Sequence, residues 1–264
     1  MTPREFDERF NRGVPTTVSA ALGIATYNRP EHLAKCLRSV ASHVPPSCPV
    51  FVFNDGSDRL HHAEYARAYK RLQASVIMDE SINRGVTVAK NSLLCAMMDR
   101  TDAEWLFICE DDVLVKSPQA ITGYIAACEA SGLAHLSFGH HQAWNPAPTS
   151  VGEYLTLWPN AVAGWSIFSR TCLENVGLMD EAFDKNCLEH VEHTMRLARA
   201  GYAFRPVPGA LMADATGSHD WLSEVPGSFK KSTISNDPLH QLRFNATREM
   251  WKAKDPVTFA MVWP

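Results

Sequence analysis

What the 264-residue chain lacks narrows its possible functions. No apolar run approaches the roughly 20 residues needed to cross a bilayer, so the sequence predicts no transmembrane segment and speaks against a processive polysaccharide synthase. Positive charge is not in excess: the net charge is −4, which gives no general attraction to nucleic acid or to an acidic membrane surface. The seven cysteines are odd in number and contain no CxxC pair, and Cys36, Cys95, Cys109 and Cys128 fall inside apolar or helical patterns. That usage suits reduced thiols in a cytoplasmic protein better than a disulfide framework. The stretch from Met1 to Gly13 is charged and has no apolar h-region, so no signal peptide is expected there. Internal repeats and low-complexity linkers are missing too, which favours one compact domain over 1–264.

What is present is an ordinary globular balance, 45% hydrophobic and 20% charged, with enough apolar side chain for a sizeable core. Val18 to Ala25 reads as a strand ending in Thr26-Tyr27-Asn28-Arg29-Pro30. Pro30 suits the first turn of a helix, along which Leu33, Cys36, Leu37 and Val40 recur at helical spacing. A second strand, Val50 to Phe53, closes in Asn54-Asp55-Gly56-Ser57-Asp58, and a helix carrying Tyr65, Tyr69 and Leu72 follows. Ser75 to Met78 is a third strand, and Asn83-Arg84-Gly85 opens another helix. Next comes Trp105 to Val113, an apolar strand that stops in Glu110-Asp111-Asp112, followed by a helix begun at Ser117-Pro118. Strand alternating with helix predicts an α/β fold with a mostly parallel, helix-flanked sheet, whose ligands bind beyond the carboxyl ends of the strands. The polar loops lie at those ends.

The second half reads less regularly. Ala134 to Phe138 is expected as a strand, Gly139 to Leu157 as a loop or lid, and Ala161 to Ser169 as a further apolar run. Cys187 to Ala200 is expected as a helix stopped by Gly201, Tyr202 to Val207 as a short strand, and Pro238 to Lys254 as a final helix.

The acid triplet is the most pointed signal. Two like charges about 4 Å apart repel by roughly 4 kcal/mol at a protein's effective dielectric, so a strand ending in three acids reads either as a solvated acidic turn or as a site for a cation. Hard oxygen ligands at that place suit Mg²⁺ or Mn²⁺ shared with a diphosphate. On the 187–200 helix, Glu189, Glu192, His193 and Arg196 share one side. They read either as an ordinary solvated face with a Glu192–Arg196 pair, or as a carboxylate facing the cleft as general base. His140-His141 reads as a solvated loop pair, and Trp144, Trp158 and Trp165 as either acceptor-stacking or core residues. Residues 230–254 hold Lys230, Lys231, Arg243, Arg248, Lys252 and Lys254 against Asp237 and Glu249, a solvated helix face or an anionic-acceptor patch.

Taken in order, Thr26-Tyr27-Asn28-Arg29, Asn54-Asp55-Gly56-Ser57, Asn83-Arg84-Gly85 with Lys90-Asn91, and Glu110-Asp111-Asp112 resemble the nucleotide-sugar motifs of family 2 glycosyltransferases with the GT-A (Rossmann-like) fold. Val176 to Phe183 is similar to their G-G-F-D-E-x-F stretch, and Glu189-His190-Val191-Glu192 with Arg196 and Gly201-Tyr202 to their E-D-x-D…R…G-Y segment. The resemblance implies a nucleotide-sugar-binding half over 18–115 and an irregular acceptor half over 116–264. Thr26, Tyr27, Arg29 and Asp55 would hold the base of a nucleoside diphosphate sugar, expected to be a UDP-sugar. Asn83, Gly85 and Lys90 would approach ribose and phosphates, beside Glu110 and Asp111. Asp112 would bind Mn²⁺ or Mg²⁺, with His219 as a late ligand; an alternative alignment gives the metal to Asp111. His190 stands where the family has its catalytic Asp, so the base falls to a carboxylate, Glu189 ahead of Glu192, with His190 contacting acceptor or diphosphate. The implied reaction is inverting transfer to a hydroxyl on a glycan, a lipid carrier or a nucleic-acid base. Two other readings remain: a GT-A module that binds donor without turnover, and a nucleotidyltransferase, whose phosphate loop Ala25 to Pro30 does not supply.

Overall fold

The computed structural model describes residues 19–70, 76–139, 145, 147–183, 188–226 and 238–263. In chain order the elements are β1 (Ala20–Thr26), α1 (Pro30–His43), β2 (Val50–Asn54), α2 (His62–Tyr69), β3 (Val76–Asp79), α3 (Val86–Arg100), β4 (Trp105–Glu110), β5 (Val113–Val115) and α4 (Gln119–Ser131). Then follow β6 (His135–Ser137), β7 (Ser150–Val151), β8 (Leu155–Trp158), β9 (Trp165–Ser169), α5 (Arg170–Val176) and α6 (Glu189–Arg199). The chain closes with β10 (Met212–Ala215), α7 (Ser218–Trp221), β11 (Leu222–Glu224), α8 (Pro238–Lys254) and α9 (Pro256–Ala260).

Six strands form the central sheet in the order β3-β2-β1-β4-β9-β6. β1 to β4 are mutually parallel, and only β9 runs antiparallel to its neighbours. Helices cover both faces, so successive side chains enter opposite cores and the strands read as unbroken apolar runs. Leu22, Ile24 and Phe107 pack with Leu33, Cys36 and Tyr124 on one side. Ala21, Phe51, Leu106 and Ile108 pack with Leu93 and Met97 on the other. Gly23 lets α3 lie close on the sheet: a Cβ there would sit 3.0 Å from Leu93 Cβ. α8 and α9 build a third, smaller core against α6 around Trp251, Phe183 and Met195.

The first half follows the pattern read from the sequence; the second departs from it. The expected loop over 139–157 contains the β7–β8 hairpin, which pairs with β10 in a second sheet. Tyr202 to Val207 is not a strand and makes only single bridges, at Ala203 and Val207. Gly201, at φ 87°, ends α6 as expected. Trp165 and Trp158 are buried, Trp165 against Phe107 and Tyr124, so they serve the core and not an acceptor platform. Trp144, His140 and His141 lie outside the described residues, as do Lys230 and Lys231. No helix among the described residues is long and apolar enough to cross a membrane. The six described cysteines are all free.

Candidate active site

The parallel strands bring Thr26, Asn54, Asp79 and Glu110 to one edge of the sheet, because β1, β2, β3 and β4 share direction and register there. Two clasps shape that edge. The first is centred on Tyr65 of α2, whose hydroxyl meets Thr26 Oγ1 and Ser57 Oγ at 3.1 Å each and accepts from the Arg29 N–H at 3.0 Å. Asn28, in the left-handed region at φ 52°, ties the β1 loop to the β2 loop through Ser57 and Asp58. Tyr27, on the same β1 loop, is left 43% exposed.

The second clasp is Asp55. Its Oδ1 accepts the Arg84 N–H, and its Oδ2 accepts the Gly85 N–H, both at 2.8 Å, with Asn83 Nδ2 at 3.0 Å. Both carboxylate oxygens are therefore committed to the loop that starts α3. Gly56 (φ 67°) serves the same contact: a Cβ there would fall 2.2 Å from the Ile82 carbonyl carbon. The close approach that glycine permits is to Ile82–Asn83.

The acids beyond β4 are held by two cations. Arg29 Nη2 lies 2.6 Å from Asp111 Oδ1, a close ion contact off the line of a hydrogen bond, and Nη1 bonds Asp112 Oδ2 at 2.9 Å. Asp111 is fully buried and also accepts from Thr26 Oγ1 at 2.6 Å. Burial pushes its carboxyl up to about 7, Arg29 and Thr26 opposing the rise. Lys90, fully buried on α3, bridges Glu110 Oε1 at 3.0 Å and Glu189 Oε1 at 3.2 Å. Burial works against the ammonium, but the two carboxylates outweigh it and raise its pKa. Burial likewise opposes the Glu189 charge, yet Lys90 and His190 hold that carboxyl well below the usual range.

α6 is therefore not a solvated face: Glu189, Glu192 and His193 are all buried. Glu192 bonds Arg196 Nε at 2.5 Å, and the guanidinium also donates to the Val176 and Leu178 carbonyls. That pair clamps a loop and does not meet Lys90. His193 donates to the Gly177 carbonyl at 2.9 Å, its pKa lowered to about 3 by burial and Arg196. His190 Nδ1 faces Glu189 Oε1 and its Nε2 faces the Ala161 carbonyl, each at 3.4 Å. Both neighbours accept hydrogen bonds, so a ring with one N–H donates to one or the other according to its tautomer. Glu189 Oε2 carries no hydrogen bond within the described residues.

Glu224 was not singled out by any sequence pattern. β11 pairs antiparallel with β5, setting Glu224 opposite Val113, and the Val225 N–H donates to the Asp112 carbonyl at 2.6 Å. Burial, then Asp112 and Glu110, push its carboxyl up to about 7. The same pairing puts Leu222 opposite Val115, so His219 lies at the far end of this ribbon. It is 65% exposed beside Asp220, and the structure does not bring it to the acids.

Among the described residues no three His, Cys, Asp or Glu side chains converge as a ready-made metal ligand set. Asp111 and Asp112 nonetheless offer hard oxygens already arranged around one cation, the Arg29 guanidinium. They fit Mg²⁺ or Mn²⁺ in sites completed by phosphate oxygens and water.

No family model matches the sequence, and a comparison with curated proteins finds no match. Solved structures give the fold. A mannosyltransferase from Pyrobaculum calidifontis, in complex with GDP-Man and Mn²⁺, aligns with a TM-score of 0.54 at 15% identity over 99% of this chain and 86% of that one. GalNAc-T7 with UDP, GalNAc and Mn²⁺ aligns at 0.56 and 14% identity over 70% of this chain. TarS from S. aureus aligns at 0.52 and 15% identity over 67%. This chain spans 41% of the GalNAc-T7 chain and 33% of the TarS chain. The protein has the GT-A fold, with its mostly parallel sheet flanked by helices.

Proposed function

We propose that the protein is a metal-dependent glycosyltransferase that moves a sugar from a nucleoside diphosphate sugar to a hydroxyl acceptor. One observation carries the reading: beyond the carboxyl ends of β1 and β4, Glu110, Asp111 and Asp112 gather with Glu189 around two cations among the described residues, Arg29 and Lys90. A site with that excess of hard oxygen ligands is arranged for a divalent ion. The two metal complexes named above support the same class.

A bound Mg²⁺ or Mn²⁺ would offset charge growing on the leaving diphosphate. Tyr27 offers an open ring to the base, while Asn28 and Ser57 fix the loop beneath it. Asp55 positions the loop carrying Asn83 and Gly85 rather than reading the base. With both Asp55 oxygens committed to that loop, its carboxylate gives no preference for uridine over another base. In transfer, the acceptor O–H gives its proton to the base, the acceptor oxygen bonds the anomeric carbon, and the bond to the diphosphate oxygen breaks with its electron pair leaving on phosphate. Glu189 is the base in this scheme: Oε1 is held by Lys90 and His190, and Oε2 is free to accept. As Lys90 turns toward the diphosphate, Glu189 loses its strongest counter-charge and becomes more basic. His190 contacts diphosphate or acceptor. In this scheme the acceptor attacks opposite the leaving diphosphate, which would invert the anomeric carbon.

The depressed basicity of Glu189 favours a second reading, a donor-binding protein without turnover. The test is a panel of nucleotide sugars with Mn²⁺, following release of nucleoside diphosphate. Release from at least one donor, lost in Asp112→Asn and slowed at least about a hundredfold in Glu189→Gln, is expected. Tight donor binding without release would give the second reading. Neither binding nor release with any donor would contradict both.

A further inference from the structure

The motif position of Arg29 speaks for a nucleotide contact, yet its guanidinium sits on the acids, 2.6 Å from Asp111 Oδ1 and 2.9 Å from Asp112 Oδ2. Its two nitrogens span neighbouring carboxylates, the space that a divalent ion shared by both would need. Arg29's backbone is pinned, its N–H on Tyr65 Oη and its carbonyl on the Leu33 N–H, both at 3.0 Å. The side chain is 34% exposed, so it can leave without disturbing the loop. Asp111 Oδ1 is buried and has no aligned hydrogen bond, so charge more than geometry holds the contact.

We propose, on the basis of the nucleotide-sugar reading above, that Arg29 is a resident counter-ion that keeps divalent metal off Asp111 and Asp112 until a nucleoside diphosphate draws the guanidinium away. A guanidinium pairs in a bidentate way with phosphate as readily as with carboxylate, so the diphosphate is a fitting competitor. Metal entry then replaces the charge that Arg29 removed. Nucleotide and metal therefore raise each other's affinity by the same factor.

The experiment is titration with Mn²⁺ alone, read by the electron paramagnetic resonance of the free ion, then repeated with UDP or GDP present. The proteins are wild type and Arg29→Gln, each first checked for a cooperative melt. Without nucleotide, Arg29→Gln should bind Mn²⁺ at least about tenfold more tightly, because a unit charge about 4 Å from a divalent ion opposes it by more than that even with water-like screening. Nucleotide should then enhance Mn²⁺ binding less in the variant than in wild type. A folded Arg29→Gln with Mn²⁺ affinity equal to or below wild type, where wild type binds the ion with nucleotide, overturns the counter-ion role alone. No Mn²⁺ binding by wild type even with nucleotide overturns both this role and the nucleotide-sugar reading. Should Arg29→Gln fail to fold, Arg29→Lys decides, since an ammonium cannot span both carboxylates. Mn²⁺ affinity above wild type supports the role, and affinity at or below wild type overturns it.

Discussion

Replacing Lys90 by Met removes the ammonium between Glu110 and Glu189 while keeping most of the side-chain volume. Lys90 and Glu189 are both buried, and their contact is 3.2 Å long. The variant leaves the Glu189 charge buried without its main partner, and breaking such a pair costs about 3–5 kcal/mol. In a chain of this size that lowers the melting temperature by roughly 10 °C. The pH dependence follows from the direction of the Glu189 shift. In wild type its folded pKa lies below the unfolded value, so its contribution is full above about 4.5 and fades only as pH falls through the depressed folded value. Without Lys90, burial raises the folded pKa above the unfolded one. The deficit of Lys90→Met should then shrink from pH 7 toward pH 5, as Glu189 takes up a proton. The double variant Lys90→Met/Glu189→Leu should recover most of the loss at pH 7, because no unpaired charge remains. Urea and thermal melts at both pH values measure this. A loss under about 1 kcal/mol at pH 7, or one that does not change with pH, would refute the buried-pair reasoning.

Asp55→Ala strands the Arg84 and Gly85 N–H groups and should cost about 1–3 kcal/mol in the absence of any nucleotide. An unchanged melt with lost nucleotide affinity would return Asp55 to a direct binding role. Gly56→Ala meets both a positive φ and a 2.2 Å contact with backbone, and should cost about 3 kcal/mol or more; a neutral result by thermal melt would contradict that packing. Arg196→Met leaves Glu192 buried without its partner and the Val176 and Leu178 carbonyls short of a donor. A loss of about 3–5 kcal/mol by urea melt is expected, and less than about 1 kcal/mol would speak against the clamp.

The parts of this site that local pattern encodes were legible. β1, β2 and β4 are apolar runs that stop in polar loops, and buried strands with covered faces leave that signature. The helix spacing of Leu33, Cys36, Leu37 and Val40 fixed the buried face of α1, and all four are buried. Pairings between distant segments were not legible. Alternation has no direction, so nothing in Trp165 to Ser169 marked β9 as antiparallel. The sequence left Glu189 open between a solvated helix face and a cleft-facing carboxylate because its neutralising partner lies far off: Lys90 is 99 residues away. Asp55 looked open to a ligand because the backbone donors that occupy it follow 29 and 30 residues later. Glu224 reaches the acids only through the β5–β11 register, which also carries His219 away from them.

The most direct measurement of the central claim is calorimetric titration of UDP and GDP into the protein, with Mn²⁺ and again with a chelator. At least one nucleoside diphosphate should bind ten times or more tightly with the metal, a coupling of about 1.4 kcal/mol, and Asp112→Asn should remove the difference while melting cooperatively. Equal affinity with and without Mn²⁺ for both nucleotides in the wild-type protein would contradict the claim.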